Sequence, residues 1–343
     1  MHLSEFDYDL PEELIAQQPL PQRDASRMLV ADAASNSLID ANFTSLPDYL
    51  CENDVLVINN TRVFPARLIG QRDPSGGRVE VLLIRELEPS VWESLVRPGG
   101  RLKLGARLKF GDSRLLAETL DEAGNGLRRL RFECSEPWET VLNEVGETPL
   151  PPYIRRAADV TDRERYQTLF AREKGAIAAP TAGLHFTPDV IGRVLARGAR
   201  LVEITLHVGY GTFEPVRVEE IERHSVAAEY LQISKEAADV INSSRANGGR
   251  VVAVGTTTTR ALESAANSDG RLEPLAKWSD LTIVPGHKFR LTDVLLTNFH
   301  LPRSSLLLLV SAFAGNDFVL RAYRHAVEQR YRFYSYGDCM LLI

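Results

Sequence analysis

Cysteine is scarce in this chain: Cys51, Cys134 and Cys339 are the only three in 343 residues, far apart and odd in number. No CxxC pair occurs, so neither a zinc ribbon nor a disulfide framework is expected. Reduced, mostly buried thiols in a cytoplasmic protein are expected instead. A basic excess is lacking too. The net charge of −6 argues against a generally basic nucleic-acid coat, while a local basic face stays open. Long hydrophobic runs are missing: "LLLLVSAFAG" from Leu306 falls short of the roughly 20 residues a bilayer requires. It reads as a buried helix, and no membrane contact is expected. The start, "MHLSEFDYDLPEE", is acidic and has no charged-then-apolar targeting pattern. No GxxxxGKS/T phosphate loop and no GxGxxG fingerprint occur. HExxH is absent as well, so no metal is expected. His224 and Glu229 are five positions apart, which is not a helical-face spacing. There is no repeat and no low-complexity tract.

What is present is the mix of a soluble globular protein, 44% hydrophobic and 25% charged, with length for more than one ordinary domain. "DVLVIN" (Asp54–Asn59) is a buried-type strand. From there to about Glu147 the texture is β. "RVEVLLI", "VWESLV", "RLKL", "RLKF" and "LRRLRFE" are short runs between turn clusters such as "DPSGG" and "RPGG". Trp138, Val141, Leu142 and Val145 follow i, i+3, i+4, i+7 spacing and predict a helix that closes this unit. Pro149, Pro151 and Pro152 cannot sit in regular structure and mark a boundary. Beyond it, Thr187-Pro188 predicts an N-cap followed by proline at the first helical position, and Gly198 ends that helix. "RLVEITLHVG" is a strand. A helix from Ser234 to Gly248-Gly249, strand "RVVAVG", a helix through "TTRALESAA" and strand "LTIVPG" follow. The fold class predicted is α/β: a barrel-like α/β main domain, residues 1–61 and 148–343, interrupted by a small antiparallel β-barrel domain, residues 62–147.

Three predicted strands end alike. One exits into His207, Gly209, Gly211 and Thr212, another into Gly255, Thr256, Thr257 and Arg260, and "LTIVPG" into Gly286 and His287. In α/β sheets and barrels, ligands gather at the carboxyl ends of strands. Glycine there admits a ligand to the backbone, and hydroxyls and imidazoles orient it. "GAIAAPTAGLHFT" (Gly175–Thr187) fits the same scheme, its small residues leaving space into which His185 is expected to point. In "RLKLGARLKF", Arg101, Lys103, Arg107 and Lys109 alternate with apolar residues, which puts the cations on one face of a predicted hairpin. Such a face suits a nucleic-acid backbone.

Several long segments carry a resemblance: "YDLPEELIAQQP", "DVLVINNTRVFPARL", "GETPLPPYI", "RYQTLFAREKGAIAAPTAGLHFT", "TLHVGYGTFEPV", "TNFHLPRSSLLLLVSAFAG" and "YRFYSYGDCMLLI". With these the chain resembles, over essentially its whole length, the S-adenosylmethionine:tRNA ribosyltransferase-isomerase family of queuosine synthesis. The resemblance implies an α/β body interrupted by a small β-barrel. It also implies a reaction in which the ribosyl part of S-adenosylmethionine passes, with isomerisation, to 7-aminomethyl-7-deazaguanine at the wobble position of tRNA. The products are epoxyqueuosine in tRNA, adenine and methionine. S-adenosylmethionine is then a consumed co-substrate, and no cofactor is expected. The partners implied are precursor tRNA and S-adenosylmethionine, with the protein a monomer. Carried onto this chain, the resemblance implies His185, His207, His224, Glu229 and His300 as catalytic. It implies Arg62, Thr181, Gly183, Gly209, Gly211, Thr212, Thr256, Thr257, Arg260 and Asn298 as substrate-binding.

Three departures stand out, the mildest being "GTTTTR" for a GTTSVR-like stretch, which keeps Thr256, Thr257 and Arg260. The family pattern His-x-Met-His-x-Glu reads "HSVAAE" here, so Val226 and Ala227 replace the methionine and the second histidine. "VPGHKF" puts Val284 and His287 at positions usually held by tyrosines. The chemistry asks for a base at the 5′ carbon acidified by the sulfonium, help for departing adenine, and a neutral amine. Histidine suits such proton transfers near neutral pH. The alternatives are a non-catalytic tRNA-binding module, which needs no histidine cluster, and a small-molecule transferase that acts on the free base.

Overall fold

The computed structural model of the chain describes residues 1–99, 102–124, 126–213 and 215–343. In chain order the elements begin with β1 (Arg27–Asp32), β2 (Ser37–Asn42), β3 (Val55–Asn59), β4 (Thr61–Val63), β5 (Arg67–Asp73) and β6 (Arg78–Glu88). Then come β7 (Val91–Arg97), β8 (Arg107–Phe110), β9 (Leu115–Gly124), β10 (Leu127–Cys134), α1 (Trp138–Val145) and β11 (Gly146–Glu147). After the prolines follow α2 (Asp162–Arg165), β12 (Glu173–Ala176), α3 (Pro188–Ala196), β13 (Arg200–Leu206), β14 (Glu229–Ile233) and α4 (Lys235–Ala246). The chain ends with β15 (Val251–Val254), α5 (Thr256–Ala265), β16 (Leu275–Ser279), β17 (Val294–Asn298), α6 (Ser305–Ala314), α7 (Asn316–Glu328) and β18 (Cys339–Leu342).

The main body is built on a sheet of order β16-β14-β13-β3-β15-β17-β18-β1-β2. Its centre, β13-β3-β15-β17, is parallel, and both faces are covered. Val55, Val57, Val251 and Ala253 face one apolar cluster with Ala237, Ile241 and Leu262 of α4 and α5. Leu56, Ile58, Val252 and Val254 face the other with Val190 and Val194 of α3. This period-2 split explains why these strands read as unbroken apolar runs: a strand buried on both faces has no polar side to show. The helices start where side-chain oxygens take up free N–H groups. Thr187 accepts from Val190, Ser234 from Ala237 and Ser304 from Leu307. Gly198, at φ +82°, ends α3.

The inserted unit closes on itself. Strands pair in the order β5-β6-β7-β10-β9-β8, and β8 returns to β5. Its core joins Leu68, Val81, Leu108, Leu130 and Phe132 to Val141 and Leu142 of α1, which plugs one end. Ile177, from the main body, enters the same cluster and so anchors the barrel beside "GAIAAPTAGLHFT". The α/β body with an inserted antiparallel barrel is as expected.

Three local expectations fail. "LTIVPG" forms no strand; the strand in this region is β16, at the sheet edge. Pro285 has no N–H to give a ladder, and Thr282 spends its hydroxyl on the Val226 N–H at 3.1 Å. Leu102, Lys103 and Leu104 lie in no strand either, so of the two runs only Arg107–Phe110 is one. Leu104 is 76% exposed and Gly105 turns the chain at φ +75°, which breaks the apolar alternation. Of the thiols only Cys339 is buried, and Cys51 is exposed. "LLLLVSAFAG" does lie in the buried helix α6. Among the described residues no single helix is long and apolar enough to cross a membrane, and α6 and α7 meet at 116°.

Candidate active site

A cleft of about 1190 Å³ separates the barrel from the main body. Phe64 and Pro65, Ile84 and Arg85 of β6, Trp92 of β7 and Trp138 of α1 form one wall. Gly175, His207, Gly209, Gly211, Glu229 of β14 and Tyr230 form the other. Arg62 stands at the crossing between the two.

His207 leaves the end of β13 and is held by two contacts. Its Nδ1 lies 2.8 Å from Thr61 Oγ1, and its ring stacks on Tyr230 with centroids 5.7 Å apart. Thr61 Oγ1 also donates to the Glu173 carbonyl at 3.4 Å. A carbonyl only accepts, so the hydroxyl has a lone pair left for the imidazole. With the hydroxyl proton on that carbonyl, His207 is assigned the tautomer that donates from Nδ1 and leaves Nε2 as the acceptor. Burial lowers its pKa, opposed in part by Glu173. The ring is neutral at pH 7 and able to take a proton.

Glu229 is buried beside it. Its Oε1 accepts the Gly209 N–H at 2.9 Å, and its Oε2 is paired with Arg260 of α5. A buried carboxylate needs such partners, since leaving one charge alone costs about 3–5 kcal/mol. The pair divides the cleft from a side pocket of about 20 Å³, lined by Val226, Ala227 and Ser305 among others. His224 reaches that pocket through Ser305, its Nε2 2.7 Å from Oγ. Burial lowers its pKa. Ala227 lines both the cleft and the side pocket.

Behind the cleft, sharing Val208 with it, is a cavity of about 50 Å³. Ala178, Ala179, Thr181 and Ala182 line it, with Thr256 and Thr257 at the start of α5, Asn298 at the end of β17 and His300 just beyond it. The small residues do leave space. Thr257 Oγ1 is buried there without a hydrogen-bond partner. His300 holds Thr297 Oγ1 at 2.9 Å, and burial brings its pKa down to about 3.

His185 does not point into that space. The chain turns at Thr181–His185 and carries the ring to the far side, against Phe43. There Nδ1 meets Ser26 Oγ at 2.7 Å and Nε2 meets Asn298 Nδ2 at 3.2 Å. Both ring nitrogens are used. Burial first, then Arg23 and Arg332, bring its pKa down to about 4. Its link to the cavity is indirect: it orients Asn298, whose Oδ1 accepts from Thr181 Oγ1 at 3.0 Å. Gly183 is likewise a packing residue, since a Cβ there would come within 2.9 Å of Thr168.

The structure therefore brings Arg62, His207, Gly209, Gly211 and Glu229 to the cleft, and Thr181, Thr256, Thr257, Asn298 and His300 to the cavity behind it. Arg260 joins the side pocket to Glu229. The third strand exit is β17, in place of "LTIVPG". His287 lies elsewhere, 3.7 Å from Glu263 and edge-on to Phe289. Arg101 lies outside the described residues, as does the side chain of Thr212. Lys103, Arg107 and Lys109 do not line the cleft, and Lys109 is 3.8 Å from Asp73. Sequence reasoning missed the aromatic wall. Helical periodicity placed Trp138 on α1, but nothing local tells that it and Trp92 of β7 meet at a cleft.

The family model described as queuosine biosynthesis protein matches residues 3–342. A protein of Symbiobacterium thermophilum named S-adenosylmethionine:tRNA ribosyltransferase-isomerase is 51% identical over the full length of both chains. Proteins of the same name from Pelotomaculum thermopropionicum and Caldanaerobacter subterraneus are 50% and 49% identical, again over the whole of each chain. A crystal structure of S-adenosylmethionine tRNA ribosyltransferase from Thermotoga maritima is 38% identical, with a TM-score of 0.56, and the match covers 99% of this chain and 100% of that one.

Proposed function

The chain belongs to the queuosine biosynthesis protein family, and from that premise we propose how its cleft serves the reaction. It transfers and isomerises the ribosyl part of S-adenosylmethionine onto 7-aminomethyl-7-deazaguanine at the wobble position of tRNA. Epoxyqueuosine-tRNA, adenine and methionine are the products. The curated relatives carry an enzyme's name, which leaves the non-catalytic binding module without support.

The observation that carries the site assignment is the pairing of a neutral histidine with a buried carboxylate in one cleft. His207 offers a free Nε2 to the acidified 5′ C–H and acts as the base. Glu229, fixed by Gly209 and Arg260, sets negative charge near the sulfonium. The cleft exceeds the roughly 300–1,000 Å³ of small-molecule pockets, which supports its taking the nucleoside and the target base together. Thr257 Oγ1, buried without a partner, supplies a hydrogen bond from the cavity behind, and Asn298, its donors taken by His185, Tyr334 and Asp338, holds Thr181 in place. His185 serves as the positioning residue for Asn298. No residue cluster with metal-ligand geometry occurs among the described residues. We assign S-adenosylmethionine the role of consumed co-substrate, with no cofactor, in a cytoplasmic monomer.

The test is direct. Mixed with S-adenosylmethionine and precursor tRNA, the protein releases adenine and methionine in equal amounts. Methylated tRNA with S-adenosylhomocysteine as coproduct would reject this reading, and equal turnover of the free deazaguanine base would remove tRNA from it.

A further inference from the structure

The cleft has an aromatic side chain at its rim that the packing of the fold does not account for. Trp278, on the edge strand β16, is 53% exposed. A tryptophan ring is large and amphipathic, and one left half exposed at the rim of a cleft offers its surface to a ligand. It ends a run of rings that begins at the catalytic histidine: His207 stacks on Tyr230, and Tyr230 meets Trp278 edge-on with centroids 5.8 Å apart. From the opposite wall, Arg85 of the barrel places its guanidinium 5.5 Å from the Trp278 ring. The two residues face each other across the mouth of the cleft.

We propose that Trp278 is the stacking platform for an unpaired RNA base next to the one that enters the cleft, with Arg85 on the neighbouring phosphate. This rests on the reading of tRNA as substrate. Charge points to RNA as the occupant. Five cations, Arg62, Arg85, Arg163, Lys174 and Arg217, line the cleft against the four carboxylates Glu86, Glu93, Glu139 and Glu229. Glu229 is neutralised from outside that set by Arg260, while Arg85 and Lys174 also meet Glu93 and Glu139, which leaves the cleft net positive in a chain whose overall charge is −6. Geometry points the same way. A base delivered to His207 belongs to a single strand, so its neighbour must lie at the mouth. Aromatic faces with cations between them are how proteins hold such strands, because every base has a face to stack.

The experiment compares wild type, Trp278→Ala and Trp278→Phe. Binding of a fluorescently labelled anticodon stem-loop carrying the aminomethyl base is read by anisotropy, and turnover by adenine release. Trp278→Ala weakens stem-loop binding by about tenfold or more. The loss falls on KM for tRNA rather than on kcat, KM for S-adenosylmethionine stays put, and Trp278→Phe restores most of the binding. Unchanged stem-loop affinity in Trp278→Ala overturns the proposal. So does a loss that phenylalanine does not restore and that tracks a lowered melting temperature, because that marks a structural role. Wild-type protein that binds the stem-loop yet releases no adenine would sink the catalytic reading, and the anisotropy comparison would still judge Trp278.

Discussion

Gly175 lies against His207: a Cβ on that glycine would come within 2.7 Å of Nε2, the free ring nitrogen. Its φ of +150° is also outside the range side chains favour. The atom in the way is the end of a side chain, so the imidazole yields before the backbone does. Gly175→Ala is therefore expected to stay folded, at a cost of about 1–3 kcal/mol for the strained backbone, and to lose at least tenfold in turnover. Melting temperature and adenine release on one preparation check this. Normal turnover in a folded variant would show that His207 does not need its present position.

The proton-transfer role of His207 has a pH signature. Burial lowers its pKa, so the active neutral form persists below the ordinary histidine value of 6.5, and kcat falls only as pH drops through the lowered value. His207→Ala is expected to lose about 10²–10⁴ in kcat together with that acid limb. Thr61→Val removes the hydroxyl that holds Nδ1 and is expected to give a smaller loss, with the limb moved. Profiles between about pH 5 and 8 measure both. An acid limb that survives in His207→Ala would assign the base to another group.

His185 is expected to act on stability. The unfolded chain takes up a proton near pH 6.5, while the native ring refuses it until about pH 4. Native stability is therefore full above 6.5 and declines as pH falls from there toward 4, by roughly 3 kcal/mol for this one group. Denaturant titrations across that window should show the decline in wild type and a flatter curve in His185→Gln. His185→Ala strips Ser26 and Asn298 of a partner and leaves a void, for about 2–4 kcal/mol at pH 7. A variant of wild-type stability with turnover lowered a hundredfold would return His185 to the chemistry.

The basic face read in the barrel sequence is expected to matter little for RNA. Lys103→Ala with Arg107→Ala should leave tRNA affinity and its salt dependence as in wild type, since neither residue lines the cleft. Arg62→Ala, inside it, should lower the slope of log affinity against log salt by about 1. Filter binding at several salt concentrations compares them. The reverse ranking would move the RNA to the β8 side of the barrel.

By itself the sequence determined the local elements and their grouping. Thr187-Pro188 and Ser234 start helices, Gly198 ends one, and the spacing of Trp138, Val141, Leu142 and Val145 is that of α1. The alternation of "RVEVLLI" and "LRRLRFE" is that of barrel strands. These are short-range matters: caps are made within three residues, and periodicity reports which face is buried because burial follows apolar area. Only the tertiary structure decided where polar groups point, since their partners come from distant segments. Ser26 and His185 are 159 residues apart, so nothing in "AAPTAGLHF" tells that the ring turns away from the space beside it. Thr61 and His207 are 146 apart, and that pairing is what leaves Nε2 free. Leu102–Leu104 and "LTIVPG" have the composition of strands and form none, because Gly105 turns the first away with Leu104 exposed and Thr282 in the second is engaged by the distant Val226 N–H.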